Sequence, residues 1–359
     1  MTIRRGESQA GVETKFGRDP VPPRRSNLFS FRRALLRWYD GNRRDLPWRR
    51  TSDPYRIWIS EIMLQQTRVA AVLDHYRTFL ERFPNVEGLA AASEDAVLAA
   101  WSGLGYYRRA RMLQRSAQEI VKTHAGKIPQ NAEALEDLPG IGRYTAAAIA
   151  SIAFNEPVAV VDGNVGRVLR RIRGVNLSVG ESWQQAESLL VRARPGDFNQ
   201  SMMELGATVC LAREPRCADC PVRRWCASRG EMARVEPSAR QKKTQIWCSI
   251  DRREEKSTGK GRGNGRIRLV RRPRQISLMA GMWELPQTSE PPRALPDSAR
   301  WRSFRHSITD TDYTVHVLRN TRLRDAPPAA KGKWIEIGCI PQLPITGLTR
   351  KILKADGII

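Results

Sequence analysis

Leu138-Pro139-Gly140-Ile141-Gly142, preceded by Leu135 and followed by the alanine-rich run Tyr144–Phe154, is the stretch on which the reading of the fold turns. Two glycines bracketing one apolar residue make a tight hairpin between helices and leave backbone N–H groups uncovered. Those donors, with the N-terminus of the following helix, form a site for a nucleic-acid phosphate, which makes Gly140 and Gly142 candidate DNA-binding residues. A plain helix–helix turn has the same local sequence. The weight of the hairpin therefore comes from what surrounds it.

Outward from the hairpin the pattern is helical from Phe29 to about Arg229, rich in Ala, Leu and Arg. Phe31, Leu35, Leu36, Trp38 and Tyr39 recur at helical spacing until Asp40-Gly41-Asn42, and Pro54 precedes a helix expected from Ile57 to about Phe83. Short helices follow, divided by Gly103, Gly105 and Pro129. This predicts an all-helical domain with short connections. After Glu236-Pro237 the character changes: Ile246–Ile250, Ile267–Val270, Tyr313–Leu318 and Trp334–Ile337 read as strands, and Leu348–Leu353 as a closing helix. Residues 256–265 form a polar, glycine-rich loop. The expected organisation is a disordered basic arm over 1–28, a helical domain over 29–229, a linker over 230–242 and a smaller α+β domain over 243–359.

The 359 residues hold 61 Lys plus Arg against 37 Asp plus Glu, a formal charge of +24. Spread along the chain, that excess favours a polyanionic partner, because neutralising phosphates releases condensed counterions. A solvated charged surface is the alternative when charge is taken alone. There is no run of about 18 apolar residues and no apolar signal-peptide core, so neither a membrane span nor secretion is expected. A cytoplasmic protein is the expectation.

Four of the six cysteines crowd into Cys210-x6-Cys217-x2-Cys220-x5-Cys226. In a reducing compartment four thiolates so close wrap one metal centre, and four-cysteine ligation suits either zinc or a [4Fe–4S] cluster. One short pair with two longer arms, rather than two short pairs, favours iron–sulfur. Metal binding would order the loop and hold Arg213, Arg216, Arg223 and Arg224 outward toward phosphates. Cys248 and Cys339 are isolated and read as ordinary thiols.

Two carboxylates complete the constellation. Glu61 lies in the apolar stretch Ile57-Trp58-Ile59-Ser60-Glu61-Ile62-Met63-Leu64, where desolvation raises a carboxyl pKa and yields a proton donor near neutral pH. The bland reading is an exposed Glu on an amphipathic helix. Asp162 follows Val158-Ala159-Val160-Val161 and opens Asp162-Gly163-Asn164, a natural helix cap contributing about 1 kcal/mol. Fixed there it stays ionised, suited to face a developing positive charge. Two carboxyls whose environments push them apart are the pattern for acid-assisted glycosidic cleavage.

Taken together, Leu46-Pro47-Trp48-Arg49, Ser60–Thr67, Trp101–Tyr107, Leu138–Thr145, Val161–Val165 and Asn199–Gly206 running into the cysteines resemble adenine DNA glycosylases of the MutY type. The resemblance spans about residues 29–229 and implies a helix-hairpin-helix glycosylase fold, a [4Fe–4S] cluster and adenine opposite 8-oxoguanine or guanine in duplex DNA as substrate. By position it implies that Glu61 protonates adenine N7, that Asp162 stabilises the oxocarbenium-like sugar, and that Tyr144 and Asn164 support it. Trp48, Arg49 and Gln200 resemble residues near the extruded adenine, and Gln65, Gln66 and Tyr106 those that enter the vacated stack. Simple core packing is the other reading of the Tyr106-Tyr107 pair. Extrusion is needed because the glycosidic bond of a stacked base is out of reach.

A bifunctional pyrimidine-damage glycosylase/lyase of the same superfamily needs a lysine where this chain has Tyr144, since an amine forms an imine and a phenol does not. A non-catalytic DNA-binding scaffold needs neither Glu61 nor Asp162. The expectation is therefore a monofunctional enzyme, a monomer acting at the bacterial nucleoid. The second domain resembles, more faintly, a Nudix-like lesion-recognition domain through Gly281-Met282-Trp283-Glu284-Leu285-Pro286. No hydrolase box of clustered glutamates follows it. Where that domain's reading loop usually has Phe-Ser-His, Phe304-Arg305-His306-Ser307 here runs into Ile308-Thr309-Asp310. Thr309 keeps a hydroxyl for 8-oxoguanine, while Asp310 brings an acid near DNA.

Overall fold

The computed structural model describes residues 25–229, 242–254, 265–276, 278–292, 300–319, 323 and 332–359. The expected arm up to residue 24, the linker over 230–241 and most of the polar loop lie outside the described residues. In chain order the α-helices are α1 Arg25–Asn42, α2 Pro54–Leu64, α3 Val69–Arg82, α4 Val86–Ala91, α5 Glu94–Trp101, α6 Arg108–His124, α7 Ala132–Glu136, α8 Arg143–Phe154, α9 Gly163–Arg173, α10 Val179–Leu189, α11 Pro195–Thr208 and α12 Gly347–Ala355. The strands are β1 Lys242–Ile250, β2 Arg252–Glu254, β3 Gly265–Arg271, β4 Trp283–Glu284, β5 Gln287–Thr288, β6 Arg300–Ile308, β7 Thr311–Arg319 and β8 Lys333–Glu336.

Contacts divide the chain into two units in a way its order does not suggest. One unit joins the chain up to Arg43 with Ala159–Ala233, and the other joins Arg44–Val158 with the chain from Arg234 onward. The helical region expected as one domain over 29–229 is therefore cut at two places. The reason is that α1, although first in sequence, carries an apolar stripe that is buried by α9, α10 and α11. Residues 25–28, placed in the arm by the sequence reading, form the first turn of α1.

In the first unit Phe31 and Leu35 of α1 pack with Val165, Val168 and Leu169 of α9, Leu189 of α10, and Phe198, Met202 and Leu205 of α11. Each such side chain withdrawn from water stabilises the fold by about 1.5–3 kcal/mol. Local chemistry sets the helix starts. Ser178 and Glu181 form a reciprocal capping box on α10, and Asp162 caps α9.

In the second unit Asp53 accepts from the backbone N–H groups of Tyr55 and Arg56 and Pro54 occupies the first position of α2. The helix expected from Ile57 to Phe83 is two helices, broken at Gln65–Arg68, where Gln66 has φ of 55°. Trp58, Phe79, Trp101, Leu113, Leu135 and Ile149 fill the core of this helical layer. Ala146–Ala150 are buried along α8.

The same unit carries the α+β part. β1 runs parallel to β7 in register from Lys242↔Thr311 to Ile250↔Arg319, and β6 pairs antiparallel with β7 in a sheet ordered β5-β1-β7-β6. A second sheet is ordered β2-β3-β4, with β8 on β3. Ile267, Leu269, Val315, Val317, Ile352 and Leu353 form the core beneath α12. This layer is fastened to α5 and the loop after it. Arg271 makes two 2.8 Å bonds to the Asp95 carboxylate, and Ser102 Oγ donates to Ile345 O at 2.7 Å. No helix among the described residues is long and apolar enough to cross a membrane.

Candidate active site and nucleic-acid interface

In the second unit α2 buries Glu61 to 6% exposure. The Tyr144 hydroxyl, on the first turn of α8, donates to Glu61 Oε2 at 2.8 Å. The hairpin places it there: Gly142 caps α8 in an extended conformation, and Gly140 has φ of 78°. A Cβ at Gly140 would collide with Met112 of α6, so both backbone conformation and close approach demand glycine there. At Gly142 nothing lies within 4 Å of an added Cβ, which leaves the N-terminus of α8 open to a ligand. One turn on, Thr145 Oγ1 accepts from Gln65 Nε2 at 3.1 Å, tying the end of α2 to α8.

The same unit holds a cavity of about 680 Å3. Its lining draws on Trp58 and Ile62 of α2, Gln65 and Gln66, the loop Gly103–Tyr107, Pro139-Gly140-Ile141, and from the α+β layer Leu278, Met279 and His306–Thr309. Tyr106 is 50% exposed, with φ of 47°. Gln66, Tyr106, Met279 and Thr309 are non-glycine residues in the left-handed region, and all four border this cavity. Backbone strain gathers where side chains must be aimed. Thr309 forms the β6–β7 turn, its Oγ1 donating to Ile308 O at 2.7 Å. Asp310 accepts from Thr309 and Thr311 hydroxyls, which hold its carboxyl below the usual range.

Glu61 and Tyr144 are not in the cavity lining, and neither are Trp48 and Arg49. Trp48 is buried with its ring edge-on to Tyr76, centroids 5.2 Å apart, and Arg49 donates to Arg44 O. Glu284 of the Trp-Glu element pairs with Arg272 at 2.7 Å. Burial nevertheless pushes its carboxyl up, with Arg272 opposing.

In the first unit Asp162 Oδ1 accepts from Val165 N at 2.7 Å and Oδ2 from Asn164 Nδ2 at 3.1 Å. Arg167 donates through Nη2 to Asn164 Oδ1 and Gly206 O, both 2.7 Å, and through Nε to Cys210 O at 2.9 Å. One guanidinium thus links the Asp162 cap to the start of the cysteine loop. Gln200 is half-buried on α11. Cys210, Cys217, Cys220 and Cys226 line one small cavity. Arg171 Nη1 lies 3.3 Å from Cys210 Sγ, and Cys226 Sγ donates to Arg171 O at 3.2 Å. Burial pushes the Cys220 thiol up to about 11, and the neighbouring thiols add to it. Among the described residues no group of three or more His, Cys, Asp or Glu side chains is drawn together to hold a metal ion. Arg213, Arg216, Arg223 and Arg224 are exposed.

Sequence reasoning gave no site role to Arg109, Arg167 or Arg171. Each had a signal. Arg109 lies one turn before Leu113 on the apolar stripe of α6, and Arg167 and Arg171 share one face of α9 four residues apart.

The chain matches the family described as HhH-GPD superfamily base excision DNA repair protein over residues 59–191. It is 46% identical over 229 residues to an adenine DNA glycosylase of Rattus norvegicus, covering 60% of this chain and 44% of that protein. It is 47% identical over 219 residues to an adenine DNA glycosylase of Homo sapiens, covering 57% of this chain and 40% of that protein. For the Arabidopsis thaliana adenine DNA glycosylase the identity is 40% over 327 residues, 80% of this chain and 51% of that protein. The chain thus spans about half or less of the length of these relatives. Among solved structures, a thermostable thymine-DNA glycosylase is similar with a TM-score of 0.54 and 32% identity, over 57% of this chain and 97% of that chain. A non-covalent endonuclease III–DNA complex shares the fold, with a TM-score of 0.51 and 22% identity over 57% of this chain and 95% of that one.

Proposed function

Because the chain belongs to the helix-hairpin-helix superfamily of base excision DNA repair proteins, we propose that it is a monofunctional adenine DNA glycosylase of the MutY type. It removes adenine mispaired with 8-oxoguanine or guanine and leaves an abasic site. The observation that carries this reading is the buried Glu61 carboxyl receiving the Tyr144 hydroxyl. A phenol stands where a lyase of the superfamily needs an amine, and it is spent on holding the carboxyl rather than on attacking a sugar.

In this account Glu61 delivers a proton to adenine N7, so that the base departs neutral, and afterwards takes one from water. Tyr144 orients the Glu61 carboxyl, since Oε2 accepts its hydroxyl. Asp162, whose oxygens accept the Val165 N–H and the Asn164 amide, is held in place to stabilise the cationic sugar. Gln66 and Tyr106 enter the stack that adenine leaves, and Thr309 offers its hydroxyl to the opposite base. The α+β layer acts as the Nudix-like reader of that base.

The four cysteines fit a [4Fe–4S] cluster by their chemistry. They line one cavity, all four are thiols, and Arg171 supplies a donor to Cys210 Sγ of the kind that tunes cluster sulfurs. Burial pushes the Cys220 and Cys226 thiols up, and a bound cation is what would favour four thiolates there. Cys210, Cys217, Cys220 and Cys226 would hold it, and a cluster bound there would order residues 210–229 and steady the exposed arginines for phosphates.

The test is Glu61→Gln, which keeps the shape and loses the proton. Mismatch binding should persist while single-turnover adenine release falls by at least about 100-fold. Turnover near that of the unaltered protein would remove Glu61 from the mechanism.

A further inference from the structure

Arg109 reaches from the first turn of α6 into the space between two loops. Its Nη1 donates to Ile62 O at 2.7 Å, Met63 O at 3.0 Å and Gln65 O at 2.6 Å. Its Nη2 donates to Thr67 Oγ1 at 3.1 Å, Leu104 O at 3.2 Å and Gly105 O at 3.3 Å. The guanidinium lies 5.5 Å from the centroid of the Tyr106 ring and 5.4 Å from that of Trp101. Its Nε is buried without a partner among the described residues. Burial holds this guanidinium down to about 10, so it remains cationic at neutral pH.

A guanidinium is removed from water only at a cost, and here the return is specific. The last carbonyls of α2 have no partners within their own helix, and no glycine closes its end. Arg109 supplies the missing donors, letting the chain turn sharply enough to place Gln66 at φ 55°. The same fork takes the carbonyls just before Tyr106, which holds φ of 47° with half its surface in water. An exposed aromatic on a strained loop folds back onto nearby apolar surface unless its backbone is fixed.

We infer that Arg109 is the positioning residue that presets Gln66 and Tyr106, side by side on the rim of one cavity, for entry into the base stack. The inference rests on the wedge role given to those residues above. Presetting removes the ordering cost that a loose wedge would pay at the moment of extrusion. Arg109 touches neither base nor sugar, and its effect falls on extrusion rather than on bond cleavage. Lysine keeps the charge but not the planar fork, so it cannot hold both loops.

The experiment compares the unaltered chain with Arg109→Lys and Thr67→Val on two duplexes. One carries an A:G mispair in normal context, with 2-aminopurine beside the adenine to report unstacking. The other has the flanking pairs also mismatched, so that extrusion costs little. Arg109→Lys should lose roughly tenfold or more in single-turnover release on the first duplex and recover to within roughly threefold on the second. Its fluorescence rise at saturating protein should shrink in parallel. Equal loss on both duplexes, or no loss on either, would overturn the inference. If Arg109→Lys does not fold, Thr67→Val decides, because it removes one partner of the fork with little change of shape. A smaller fluorescence rise at unchanged melting temperature supports the inference, and an unchanged rise refutes it. The fluorescence does not depend on adenine release, so failure of the glycosylase reading shows separately as binding and unstacking without adenine loss.

Discussion

His306 lies on β6 where the strand reaches the cavity, and its burial together with the positive charge of Lys351 holds the imidazole below its ordinary value. The folded chain therefore binds this proton less readily than the unfolded chain. Stability from His306 is complete above the unfolded value of about 6.5 and is lost as pH falls below it. Melting curves of the unaltered protein and His306→Gln should run parallel above neutrality. Below about pH 6.5 the unaltered protein should lose ground to the variant. Parallel profiles throughout would show that the folded imidazole titrates normally. At this scale the sequence was readable wherever a residue contradicted its neighbours. Glu61 within an apolar helix, Asp162 after an apolar run and glycine at Gly140 each announced itself: Glu61 is buried, Asp162 caps α9, and a Cβ at Gly140 would meet Met112. Arg109 and Arg167 did not, because some of their partners, Gln65 O and Gly206 O, lie 44 and 39 positions away in sequence.

Among the helices, the crossing of α11 over the start of α9 sets the surroundings of Asp162. A Cβ at Gly206 would lie 2.7 Å from Asn164 Cβ and 3.1 Å from its carbonyl oxygen. Replacing glycine by alanine inside a helix ordinarily stabilises by about 1 kcal/mol. Here overpacking against backbone, which cannot swing aside, costs about 1–3 kcal/mol and outweighs that gain. Gly206→Ala should therefore lower stability by up to about 2 kcal/mol in denaturant titrations and slow adenine release, since Asn164 bonds Asp162. A stabilised and fully active variant would mean that the two helices part freely. Element reading from sequence succeeded where one periodicity ran unbroken, as in α1, α8, β7 and α12. It failed at two informative places. The interruption between α2 and α3 carries no glycine or proline, and Arg109 rather than local propensity ends α2. The β6 strand, rich in arginine, was not anticipated because it is held at a sheet edge by pairing with β7 and not by its own propensity.

For the molecule as a whole, the formal charge of +24 supplies sequence-independent attraction to a polyanion, and the exposed arginines of the cysteine loop add to it. The sequence showed that a helical region precedes an α+β region. It did not show that Arg44–Val158 share a unit with the α+β layer, because the side chains that join them, such as Arg271 with Asp95 and Arg350 with Ser102, carry no local pattern. The proposed chemistry is that the chain cuts adenine from its sugar without cutting the strand. The measurement is to incubate the purified protein with end-labelled duplexes pairing A with 8-oxoguanine, A with G and A with T, and to treat half of each sample with hot alkali. The account predicts strand breaks at the adenine of the two mispaired duplexes, and only after alkali. Breaks without alkali, or tight binding with no adenine lost, would contradict it.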